Sequence, residues 1–186
     1  MNVSSGGRIL AFIAGAGTIL AILTVIAAIV FAIFRLVASR HIQKPRKLDI
    51  ILPLILWLLA AAAFILNIGW FRVFLIVFGI APLHAILFLL SSFYSADVIS
   101  ESRAIRIYSI ISYVTYPLSY MLLPDGGDYG GAYMFFSIIK NEVVVNIASV
   151  LVAPCFIASA VFIILQFIAS LKFKKGKKRN EQTENL

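Results

Sequence analysis

His84 is the one ionisable side chain set well inside an apolar run of this sequence, and Pro82 stands two residues before it. A histidine surrounded by hydrocarbon serves as a proton carrier, a ligand, or a hydrogen-bonding partner for another polar group. As a neutral imidazole it brings one donor and one acceptor, and an apolar medium penalises both unless they are met. Partners occur at helical spacing in one segment, where Tyr108, Ser112, Thr115 and Ser119 share a face that Ser109, Tyr113, Tyr116 and Tyr120 widen. The expected network is His84 with Ser112, Tyr113 and Tyr116, joined by Asn146 from the last apolar run. Uncharged hydroxyls hold helices together readily, so a hydrogen-bonded helix interface is preferred to the lining of a polar cavity.

A second group of chemically capable residues lies in the segment PDGGDYGGAYMFFSIIKNE, where Asp125, Asp128 and Glu142 form an acidic cluster among four glycines. Carboxylates beside freely turning backbone suit a hard divalent cation, although the alternating oxygen ligands of a calcium loop are missing. Other chemistries lack their residues. There is no H-E-x-x-H for zinc, no G-x-S-x-G for a serine nucleophile and no glycine-rich phosphate loop. A haem between two imidazoles is disfavoured because the other histidine, His41, sits in a basic connection. Cys155 is alone, which rules out an intrachain disulfide and a Cys-x-x-Cys pair. No catalytic residue, metal or cofactor is therefore nominated.

The elements that must position these residues follow from composition. Of 186 residues, 62% are apolar and 13% charged. A water-soluble fold of this size would expose that apolar surface as an aggregating patch. Crossing a bilayer takes about 20 helical residues, and five uncharged or nearly uncharged runs approach or exceed that length: 9–37, 49–67, 71–93, 104–123 and 143–171. None alternates in polarity as barrel strands do. The expected fold is an all-α polytopic transmembrane bundle of five spans. Residues 1–171 form a single membrane domain, residues 124–142 an outer loop with a short interfacial segment, and residues 172–186 a basic polar tail. Pro53 is expected in the first turn of its helix, while Pro82, Pro117 and Pro154 should kink theirs. In the last run two stripes, Asn146–Ser149–Ala153–Ala160 and Ala148–Cys155–Ser159–Gln166, predict neighbours on both sides.

Charge sets the orientation. With the N-terminus outside, thirteen Lys and Arg fall on the cytoplasmic side and three, Arg8, Arg72 and Lys140, on the outer side. Asp97, Glu101, Arg103 and Arg106 are expected as solvated charges between the third and fourth spans, and the lysine-rich tail as a contact for anionic headgroups. The net charge of +8 thus points to a membrane surface and not to nucleic acid. Compactness and a single glycosylation sequon, Asn2-Val3-Ser4, point to a bacterial plasma (inner) membrane. Two functions compete. One is a protein acting by association or passage: a transporter-like unit, a channel component, or an accessory or immunity-type subunit, paired with a partner membrane subunit or working as a homo-oligomer. The other is a membrane-embedded enzyme acting on a lipid or isoprenoid, with His84 and the loop carboxylates as acid and base.

Overall fold

The structure, a computed structural model, describes residues 46–66, 69–124, 134–135, 138–139 and 141–184. The first apolar run, 9–37, and the carboxylates Asp125 and Asp128 lie outside the described residues. Those described form five helices: α1 (Lys47–Leu66), α2 (Trp70–Val77), α3 (Ile80–Ser95), α4 (Arg103–Met121) and α5 (Glu142–Glu184). By length and apolarity α1 and α5 suffice to cross a membrane, and α2 with α3 makes a third crossing if the two are one broken span.

The break within the third run has a local cause. Pro82 has no N–H to give the carbonyl of Phe78, four residues earlier, so an unbroken helix would lose a rung there. The chain instead closes α2 with Phe78 N–H donating to the Phe74 carbonyl and Gly79 N–H to that of Ile76, both at 2.9 Å. Gly79 then takes a left-handed φ of 71°, a conformation open to glycine without a Cβ clash. The two helices diverge by 66°. Pro82 was expected to kink a continuous helix; it ends one helix and allows another to start. Pro117 and Pro154, by contrast, sit inside helices that continue past them. Pro53 lies in the second turn of α1, since that helix already begins at Lys47.

The fourth run forms its helix, yet α4 falls short of the apolarity of a lone span, because tyrosines and serines fill one side of it. That side is inside. Ser109, Ser112, Tyr113, Tyr116, Ser119 and Tyr120 are buried, whereas Ile107, Ile110 and Val114 face outward. α4 packs most extensively on α5 and next on α1, and α3 also lies against α5. The main core is aromatic, with Trp57, Phe88, Phe93, Tyr113, Tyr116 and Tyr120 packed around Ile50 and Ile163. On α5 only one of the two small-residue stripes is inside: Ala148, Ser159 and Gln166 are buried, while Asn146, Ser149 and Ala153 are exposed. α5 also runs to Glu184, so the expected tail is helical through the described residues. Near the start of α5, Met134 and Ile139 pair as an isolated bridge, and Phe135 N–H donates to the Met121 carbonyl at 3.0 Å, which ties Phe135 to the end of α4.

Candidate functional site

The break at Gly79 places His84 in the second turn of α3, nearer one end of the bundle than the middle of a long span. There it meets α4 and α5. Nδ1 lies 3.0 Å from the Tyr120 hydroxyl and Nε2 lies 2.9 Å from Ser159 Oγ, so both ring nitrogens have partners. A hydroxyl can donate or accept, and either imidazole tautomer is therefore satisfied. The ring is 5% exposed and is walled by Phe156, with centroids 4.5 Å apart, and by the edge of Tyr116 at 5.0 Å.

The residues nominated from sequence are distributed differently. Tyr116 touches His84 through its ring, and that ring stacks on Phe88 at 3.9 Å and 2°. Ser112 and Tyr113 belong to a second polar layer farther along the bundle. There Ser112 Oγ donates to Gln166 Oε1 at 2.9 Å, and Gln166 Nε2 donates to Ser95 Oγ at 2.6 Å. Tyr113 sits edge-on to Phe88 with its hydroxyl beside Ser92. Asn146 is exposed and joins neither layer, as is Glu142 at the start of α5. His84 thus meets Tyr116 through ring contact, as expected, and takes its hydrogen bond from Tyr120, one helical turn farther along α4. Most other α4 hydroxyls satisfy themselves, since Ser109, Thr115 and Ser119 donate to carbonyls three or four residues back.

Sequence reasoning missed the residue that organises this end. Arg72, counted as an outer flanking charge, is 1% exposed. Its Nη1 donates to the carbonyls of Ala63 and Phe64, the latter at 3.1 Å, and its Nη2 to those of Tyr120 at 3.0 Å and Leu123 at 2.7 Å. These carbonyls close α1 and α4, where helices leave acceptors unfilled and carry partial negative charge. One planar cation thus caps two helices, with its charge 5.6 Å from the Phe64 ring. The available signal was position: an arginine at the very start of one apolar run, only a few residues after another ends.

The opposite end carries a second clamp. Lys174 Nζ lies 2.8 Å from Asp97 Oδ1, donates to the Tyr94 carbonyl at 2.7 Å and sits 3.9 Å over the Tyr94 ring. Lys177 pairs with Glu101 at 3.1 Å. Asp97 and Glu101, expected to be solvated, therefore hold α5 to the turn after α3. Arg106 Nη2 donates to the Ser100 carbonyl at 2.8 Å.

Beside the His84 layer, under the α2–α3 elbow, lies an apolar crevice of about 200 Å³ lined by residues including Trp57, Ala60, Ala81, Pro82, Tyr116 and Tyr120. Alanines on facing helices leave the space. No family model, curated protein or solved structure matches this chain. Among the described residues no group of three or more His, Cys, Asp or Glu is placed to hold a metal ion; Asp49 in the first turn of α1, Asp97 and Glu101 are at the end remote from His84, and Glu142 is exposed at the start of α5. The site can hold helices in register and can present a neutral imidazole between two hydroxyls.

Proposed function

We propose that this chain is a five-span protein of a bacterial plasma membrane, N-terminus outside and C-terminus cytoplasmic, that acts by association with a membrane partner or with further copies of itself. In this reading it is an accessory or immunity-type subunit. The observation that supports it is the inverted distribution of polarity. His84, Gln166, the serines of α3 and α4, and Ser159 and Ser170 of α5 are buried, while Leu58, Ile65, Leu83, Val150, Ile157 and Ile164 are exposed. Lipid or another membrane helix suits such a surface. The exposed stripe Asn146–Ser149–Ala153 favours a protein neighbour on α5, because small and polar residues let helices approach closely. On the cytoplasmic side, Lys172, Lys175, Lys178 and Arg179 remain exposed after Lys174 and Lys177 have found partners, and anionic headgroups are their counterpart.

Passage is the second reading. It is favoured by the imidazole held at both nitrogens, a geometry in which one nitrogen takes up a proton as the other releases one. The stacked Phe88 and Tyr116 rings between the two polar layers weigh against an open pore. Catalysis on a lipid or isoprenoid has the crevice in its favour and lacks a described carboxylate near His84.

The deciding experiment is purification in nanodiscs with mass spectrometry of the chains that accompany the protein. A stoichiometric partner or a defined oligomer supports association. A monomer that moves protons in sealed proteoliposomes, with the movement lost in His84→Leu, replaces it by passage.

A further inference from the structure

We infer that α2 lies along the outer membrane interface as an in-plane anchor, its aromatic face in the boundary between headgroups and acyl chains, and that α3 makes the third crossing without α2, lengthened by the hydrogen-bonded turns at 96–101 that follow it. The inference rests on the membrane reading above. α2 and its C-cap residue Phe78 present Trp70, Phe71, Phe74 and Phe78 at 50% to 72% exposure, and the spacing of these residues places them on one side of the helix. Phe74 and Phe78 stack with centroids 6.3 Å apart. Aromatic side chains, tryptophan above all, settle at the membrane–water interface.

Three features fix the direction of the helix. The first is the elbow: with α3 running across the bilayer, a 66° divergence leaves α2 much closer to the membrane plane than to its normal. The second is Arg72, which projects from the other side of α2 and is held by carbonyls of α1 and α4, so the helix is bolted across the ends of two others. The third is continuity. The aromatic face extends the exposed apolar belt formed by Ile65 and Leu66 on α1 and by Ile80 and Leu83 on α3, which makes lipid the occupant of this surface.

Depth-resolved quenching of single-tryptophan proteins in nanodiscs tests this. Trp57 is replaced by Phe throughout; one protein keeps Trp70, and a second carries Trp70→Phe with Phe78→Trp. An in-plane helix puts both probes at similar depth, so a lipid nitroxide near the headgroup quenches each more than one near the chain end, with closely matching ratios. An upright helix would carry position 78 about 12 Å deeper than position 70, at 1.5 Å per residue, and preferential quenching there by the deep label overturns the inference. Absence of lipid quenching at both positions also overturns it, since protein would then cover the face. A third protein, with Trp57→Phe, Trp70→Phe and Ile157→Trp on exposed α5, must be quenched by the deep label. Failure of that probe sinks the membrane reading itself, and failure at positions 70 and 78 alone sinks only this inference.

Discussion

Arg72 holds Tyr120 by its main chain, Nη2 donating to the Tyr120 carbonyl at 3.0 Å. The hydroxyl of the same tyrosine lies 3.0 Å from His84 Nδ1. The arginine on α2 therefore sets the depth at which the imidazole on α3 finds its partner on α4, and three helices are locked by two side chains.

Arg72→Met is expected to lower stability by about 3 kcal/mol, because four carbonyls, three of them in buried bonds, lose a charged donor and such bonds individually net about 1.5–3 kcal/mol. Arg72→Lys should recover part of the loss, as a single ammonium cannot fork to four acceptors. Equilibrium unfolding in mixed micelles measures both. Two variants as stable as the native protein would contradict the capping role.

Tyr120→Phe and Ser159→Ala should each destabilise by about 1 kcal/mol. The sharper comparison is coupling. His84→Leu with Tyr120→Phe should be non-additive by more than about 0.5 kcal/mol, whereas His84→Leu with Ser112→Ala should add within about 0.5 kcal/mol, because Ser112 serves Gln166 in a separate layer. The reverse pattern in a double-mutant cycle would restore the pairing expected from sequence.

At the other end the two lysine pairs should differ. Lys174 and Asp97 have side chains 22% and 11% exposed, against 43% and 28% for Lys177 and Glu101. Lys174→Gln, which also removes a contact with the Tyr94 ring, is expected to cost about 1–2 kcal/mol, and Lys177→Gln less than about 0.5 kcal/mol. Thermal unfolding at low and high salt reads the contrast; equal losses would show that burial does not distinguish the pairs.

Reporter fusions after Lys47, Trp70, Arg103, Gly131 and Leu186 should read cytoplasmic, outer, cytoplasmic, outer and cytoplasmic, following the thirteen-to-three distribution of Lys and Arg. A cytoplasmic signal at Gly131 would remove the five-span topology.

Much of the helical class was legible because an apolar run with no polarity alternation leaves its backbone no partner but itself. The inward side of α4 was legible for a related reason: hydroxyls at spacings of three and four residues fall on one side of any helix, and Ile107, Ile110 and Val114 fall on the other. The charge distribution over the connections was equally open to reading, since it is a count along the chain.

Pairings between helices were decided only by the tertiary structure. The register of α3 against α4 depends on where α3 starts, and that follows from the coincidence of the missing Pro82 amide with a glycine three residues earlier that accepts a left-handed turn. In that register the His84 ring reaches the edge of Tyr116 and its Nδ1 the hydroxyl of Tyr120. The burial of Arg72 was hidden for the same kind of reason. An arginine leaves water only where several acceptors converge on it, and here they are the carbonyl ends of α1 and α4, two segments whose meeting no local pattern in the chain records.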